Sequence, residues 1–219
     1  MLTLVFSGMY KEITGIILAG GASARFGRDK ALVRIGHHSA IGIAVELMQS
    51  IFKQVWISAR RAEDYSFLNL PVIPDLYPGA GPLAGLHAAL KQSTTDKNIV
   101  ISCDLPLMNR EVIDALITSS PGHQIVVVQA AERLQFFPGF YHRSLLPLIE
   151  ERLACTPPGT GRNRSYSLYA LIQQADTAVL DAASFPFIKE TYFLNMNTPE
   201  DFEKIQRIAE LGRSPKKNE

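Results

Sequence analysis

Cysteine is nearly missing from this chain: Cys103 and Cys155 are its only two among 219 residues. Two thiols cannot build a disulfide framework, and such scarcity points to a reducing compartment, the cytosol. Neither sign of charge dominates. Lys and Arg number 22 against 21 Asp and Glu, and the signs are interspersed, which excludes a nucleic-acid footprint. No apolar run approaches the length needed to span a bilayer. The opening MLTLVFSGMYKE is apolar for only a few residues and has no basic leading segment, so it reads as neither signal peptide nor membrane anchor. Residues 1–12 are expected to be an N-terminal extension, with Met9 as an alternative start. Two familiar phosphate-loop fingerprints are absent at the glycine-rich turn as well. A Walker A loop sets its Lys directly after its last Gly, whereas Lys30 lies three residues past Gly27, and the dinucleotide G-x-G-x-x-G spacing is missing.

What the chain does have is TGIILAGGASARFGRDKAL, Thr14 to Leu32. Thr14 to Leu18 is a short apolar run rich in β-branched residues, the pattern of a strand buried on both faces. Ala19, Gly20, Gly21 and Ala22 then form a turn whose backbone N–H groups a ligand can approach, because little or no side chain stands in the way. Ser23, Arg25 and Lys30 follow. Backbone amides and a helix end supply only about half a unit of positive charge. An Arg and a Lys beside the turn add the neutralisation that a polyphosphate needs.

The rest of the chain repeats an alternation of strands and helices. Helix-spaced apolar residues run from Ser39 to Phe52, and strands are expected at Gln54–Ser58, Pro71–Ile73, Asn98–Ser102 and Gln124–Gln129, with a last one at Tyr192–Leu194. Helices are expected from Pro82 to Lys91, from Arg110 to Ser119 and, with Thr198 as N-cap and Pro199 at its first position, beyond Asn197. Strands alternating with helices predict an α/β fold with a mostly parallel central sheet and one domain over residues 1–219; residues 213–219 are expected to be a disordered tail. In such sheets ligands gather at the carboxyl ends of the strands. Three of those ends deliver polar residues: Ala59-Arg60-Arg61, Asp75, and Cys103-Asp104. Asp75 is placed to accept hydrogen bonds from a base or a ribose, or else serves as a turn carboxylate. Asp104 is a single strand-end carboxylate facing the polyphosphate loop, enough for Mg2+, which prefers one or two carboxylates plus phosphate oxygens and water. His37 and His38 are adjacent and not at ligand spacing. Phe136, Phe137, Phe140 and Tyr141 suit either stacking on a flat ring or the core.

These strings resemble a known family. LAGGASARFGRDKA, PGAGPLAGL, CDLPLM and NMNTPED are similar to signatures of sugar-nucleotidyltransferase-like enzymes in the form typical of molybdenum cofactor guanylyltransferases, and the resemblance spans roughly Thr14 to Leu211. It implies a three-layer Rossmann-like nucleotidyltransferase fold. It also implies a cytoplasmic enzyme that moves GMP from GTP to the phosphate of molybdenum-bound molybdopterin and releases pyrophosphate. Leu18, Ala19, Gly20, Gly21, Lys30, Asp75 and Asp104 would bind the nucleotide, and Asp104 would hold Mg2+. Arg25, Lys30 and Asp104 would be catalytic, and Asn195 and Asn197 would lie near the acceptor. Partners would be GTP, the pterin and the proteins that hand over or insert an unstable cofactor. The chain departs from the family at Arg60, where an Asn is usual, and at GHHSAI, where a proline turn is usual. Composition and spacing leave the base and acceptor open, so cytidylyl transfer to the same pterin, transfer to another phosphorylated acceptor and a non-enzymatic nucleotide-binding module are the alternatives. A phosphate nucleophile is already anionic, which agrees with a sequence that offers no evident acid/base pair.

Overall fold

The computed structural model describes residues 8–19, 30–77, 79–154 and 168–213. Its centre is a seven-stranded sheet in the order β5-β4-β1-β6-β8-β7-β9. The strands are β1 (Tyr10–Leu18), β4 (Phe52–Ala59), β5 (Val72–Pro74), β6 (Lys97–Ser102), β7 (Ile125–Ala130), β8 (Arg133–His142) and β9 (Thr177–Asp181). Every pairing is parallel except the two made by β8, so the expected mostly parallel sheet is what forms. A two-residue hairpin, β2 (Arg34–Ile35) with β3 (His38–Ser39), stands apart from it.

Successive strand residues point to opposite faces, and β1 shows both faces filled. Ile13 and Ile17 join the apolar layer shared with α1 (Ala40–Ile51) and α3 (Arg110–Thr118). Ile16 and Leu18 join the layer shared with α2 (Pro82–Gln92), α4 (Leu146–Ala154) and α5 (Leu168–Gln174). Helices on both faces of the sheet make three layers. Gly15 is required by this packing: a Cβ there would lie 2.7 Å from Cδ2 of Phe52. A third, smaller cluster is formed where Phe202, Ile205 and Ala209 of α6 (Pro199–Arg213) meet Val33, Ile35, Ala40 and Met196. It clamps the segment after Lys30 to the C-terminal helix.

Helix starts follow the local chemistry. The Ser39 side chain accepts from Gly42 N at the head of α1, and that of Asn109 from Glu111 N at the head of α3. At α6 the bonds are reciprocal: Asp201 N donates to Thr198 Oγ1 at 3.1 Å, while Thr198 N and Asn197 N donate to Asp201 Oδ2 at 2.9 and 3.1 Å.

Three expectations need correction, and the aromatic segment, open between a stacking surface and the core, takes a definite form. Tyr192–Leu194 is not a strand; a 3-10 turn covers Glu190–Phe193, and the sheet edge is taken by β9, whose TAVLD gave too short a signal. An apolar triplet does not separate strand from turn by period alone. Residues 10–12, assigned to an N-terminal extension, are the first three residues of β1. The aromatic segment is a ten-residue strand, β8, that turns back antiparallel between β6 and β7. Arg213, assigned to the tail, is the last residue of α6; residues 214–219 lie outside the described residues.

Candidate active site

Backbone hydrogen bonds bring the strand ends together. Leu18 is in register with Ser58 of β4 on one side and Ser102 of β6 on the other. Beyond the strand, Ala19 N donates to Ser58 O at 2.8 Å and Cys103 N donates to Leu18 O at 3.1 Å. Ala59 is in register with Pro74, so Asp75 leaves β5 where Arg60 leaves β4. Ala19, Arg60, Asp75 and Asp104 therefore exit along one edge of the sheet, as the sequence predicts. Gly20, Gly21, Ser23 and Arg25 lie outside the described residues.

Lys30 and Asp104 are reached by the same C-terminal segment. The Lys30 ammonium donates to Asn197 Oδ1 at 2.8 Å, across 167 residues of sequence. One residue earlier, the amide of the fully buried Met196 donates to the backbone carbonyl of Asp104 at 2.9 Å. The Asn-x-Asn string thus ties the lysine after the glycine loop to the aspartate at the end of β6. Asn195 is different. Its side chain donates to Phe193 O at 3.3 Å and helps close the turn.

The Asp104 carboxylate carries an unmet demand: its Oδ1 is buried without a hydrogen-bond partner among the described residues. A buried carboxylate oxygen left bare costs several kcal/mol unless a cation or donor meets it. A divalent cation also bound by phosphate oxygens would satisfy it, and the residues present fit one. Among the described residues no cluster of three or more His, Cys, Asp or Glu side chains could bind a metal by protein groups alone. An ion held by one carboxylate completes its coordination with substrate oxygens and water.

Asp75 is built differently. Leu18, Ser58 and Asp75 converge on Gly85 of α2, where a Cβ would lie 3.1 Å from Ser58 Oγ, 3.4 Å from Leu18 Cδ2 and 3.6 Å from Asp75 Oδ1. Glycine lets the helix approach this trio. Burial pushes the Asp75 carboxyl above its ordinary range, and a hydrogen bond from Ser58 and the charge of Arg60 partly offset that rise. The folded protein thus holds this proton more tightly than the unfolded chain does. Its contribution to stability is complete below the unfolded carboxyl pKa of about 4 and is lost as pH rises through the higher folded value. Asp75→Asn is expected to melt above the parent at about pH 7, the difference vanishing near pH 4, while nucleotide affinity falls about tenfold. Scanning calorimetry at both pH values and calorimetric titration with nucleotide measure the two effects.

Several other candidates have plain structural roles. Phe140 and Tyr141 are buried in the core, and the Tyr141 hydroxyl donates to Phe136 O at 2.6 Å. His38 Nδ1 sits 2.7 Å from Glu46 Oε1 on the surface. Two residues that the sequence does not single out matter at this edge. The Ser58 hydroxyl stands between two acceptors, the Asp75 carboxylate and Gly85 O at 3.3 Å, and its one proton serves either of them, while the Tyr65 hydroxyl donates to Ala19 O at 2.9 Å. A serine closing an apolar strand is a faint signal for the first. Tyr65 has none.

Comparison with known proteins gives the family and the fold. The family model described as MobA-like NTP transferase domain matches residues 15–180. A probable molybdenum cofactor guanylyltransferase of Carboxydothermus hydrogenoformans is 32% identical over 203 residues, covering 92% of this chain and 98% of that protein. One from Aquifex aeolicus with the same description is 35% identical over 198 residues, covering 90% and 92%. Among solved structures, molybdopterin-guanine dinucleotide biosynthesis protein A of Archaeoglobus fulgidus shares the fold, with a TM-score of 0.75 at 20% identity, covering 90% of this chain and 99% of that one.

Proposed function

We propose, because this chain belongs to the MobA-like NTP transferase domain family, that it is a guanylyltransferase moving GMP from GTP to the terminal phosphate of molybdenum-bound molybdopterin. Its relatives' names supply the base and the acceptor. The observation that carries the reading is the junction of Lys30, Asn197 and Asp104 at the carboxyl edge of β1 and β6, with a carboxylate oxygen that has no hydrogen-bond partner among the described residues.

The chemistry asks little of the side chains beyond charge and alignment. An oxygen of the acceptor phosphate forms a bond to the α-phosphorus of GTP, the bond to the β-phosphate bridge breaks, and pyrophosphate leaves. The attacking phosphate is anionic already, so no base is needed. Lys30 and Arg25 would neutralise the departing pyrophosphate, and Asp75 would accept from the nucleoside. Asn197 holds the Lys30 ammonium in place and, with Asn195, would face the acceptor. Mg2+ held by Asp104 would supply charge neutralisation at the phosphates. Gly20 and Gly21 would offer amides to the same groups. Among the described residues no helix is long and apolar enough to cross a membrane, and we place the reaction in the cytoplasm, where cofactor-insertion proteins would collect the product.

Thermal unfolding with each of the four triphosphates and Mg2+ tests the donor. GTP at 100 times its Kd should stabilise by about 2.7 kcal/mol, a rise of several degrees. ATP, CTP and UTP should do little. Stabilisation by CTP alone would transfer the assignment to cytidylyl transfer.

A further inference from the structure

We infer that Asp201 is a positioning residue for Lys30, acting through Asn197; this rests on the guanylyl-transfer reading above. Asp201 sits in the first turn of α6, where its Oδ2 accepts from Asn197 N at 3.1 Å and from Thr198 N at 2.9 Å. The side chain of that same Asn197 accepts from the Lys30 ammonium at 2.8 Å. The carboxylate thus holds the backbone of the residue that holds the lysine.

Asn197 needs such a hold. It is exposed, so its side chain is fixed by hydrogen bonds and not by packing, and the direction of its amide follows from how its backbone is pinned. Before it, the fully buried Met196 donates its N–H to Asp104 O at 2.9 Å. After it, Thr198 N has only the Asp201 carboxylate among the described residues. Asn197 N is shared between Asp201 and Asn195 O, the latter at 3.0 Å and within the turn itself. Asp201 is therefore the group that ties this turn to the helix.

The other partner of the bond is referenced to the same helix. Phe202, Ile205 and Ala209 of α6 share one apolar cluster with Val33 and Ile35, just past Lys30. A lysine ammonium rides on a flexible four-carbon stem, and one that the fold has already aimed needs no reorganisation when charge develops beside it.

Thr198 separates this role from helix capping. Asp201 N donates to Thr198 Oγ1 at 3.1 Å, the other half of the same reciprocal cap. Thr198→Val removes that half and leaves the carboxylate on Asn197. Both Thr198→Val and Asp201→Ala weaken the helix start and are expected to lower the melting temperature by about 2–4 °C. Only Asp201→Ala releases Asn197.

The test is steady-state pyrophosphate release with GTP, Mg2+ and molybdenum-bound molybdopterin by the parent, Asp201→Ala, Asp201→Asn, Thr198→Val, Lys30→Ala and the variant carrying both Lys30→Ala and Asp201→Ala. Asp201→Ala is expected to lose about tenfold in kcat with the KM for GTP unchanged, and Asp201→Asn, which keeps an oxygen acceptor, to recover most of that loss. Thr198→Val is expected to keep the parent kcat. The double variant should be no slower than Lys30→Ala, because the two residues act as one unit. An equal kcat in the parent and Asp201→Ala, an equal loss in Asp201→Ala and Thr198→Val, or a full tenfold loss on top of Lys30→Ala overturns the inference alone. A parent that releases no pyrophosphate overturns the guanylyl-transfer reading and this inference together.

Discussion

Asp104→Ala is expected to lower turnover with GTP by about 10³-fold while the melting temperature stays within about 2 °C of the parent or rises. The two halves of this expectation have one origin. Oδ1 of Asp104 is buried and has no hydrogen-bond partner among the described residues, so in the free protein that oxygen gives up hydration without repayment. Removing it relieves that cost. The structural duty of the residue is carried by its backbone carbonyl, which accepts from Met196 N and survives the substitution. What disappears is the carboxylate that would hold Mg2+. Steady-state pyrophosphate release and scanning calorimetry on the same preparation measure both halves. A large fall in melting temperature would make Asp104 a structural carboxylate and sink the assignment.

Lys30→Ala is expected to cost about 10²-fold in kcat, with stability unchanged. The Lys30–Asn197 hydrogen bond is solvent-exposed, and exposed contacts of that sort contribute little to folding. In the proposed reaction the same ammonium would face a leaving group that gains negative charge as the α–β bond breaks, and a charge-assisted contact would strengthen there. The loss should fall on kcat more than on the KM for GTP, because the interaction is worth most in the transition state. Steady-state kinetics separates the two. A loss confined to KM would place Lys30 in ground-state binding only.

Much of this was legible beforehand because apolar runs, turn glycines and strand-end carboxylates each carry a local physical signal. NIVIS followed by Cys103-Asp104 announces a buried strand that ends in a carboxylate, and β6 is that strand. Thr198 with Pro199 announces a helix start, and α6 begins there. What was hidden depends on contacts distant in sequence. Nothing near Tyr65 says that its hydroxyl belongs to Ala19, and nothing near Asn197 says that it will hold Lys30. Edge strands are quiet for a different reason. β9 is five residues long with no residue fully buried, so its TAVLD lacks the apolar density that marked the central strands. Tyr192–Leu194 had that density and still forms a turn, because its part is to carry the chain across the sheet edge to Asp104.

In the proposed reaction one GTP lies across Lys30 and Asp104 and gives up its α-phosphate. Isotopic transfer addresses it most directly: GTP labelled at the α-phosphorus in one sample and at the γ-phosphorus in another, each with Mg2+ and molybdenum-bound molybdopterin. The α label is expected on the pterin and the γ label in pyrophosphate, in equal amounts. Release of the γ label as orthophosphate, with no label on the pterin, would contradict it.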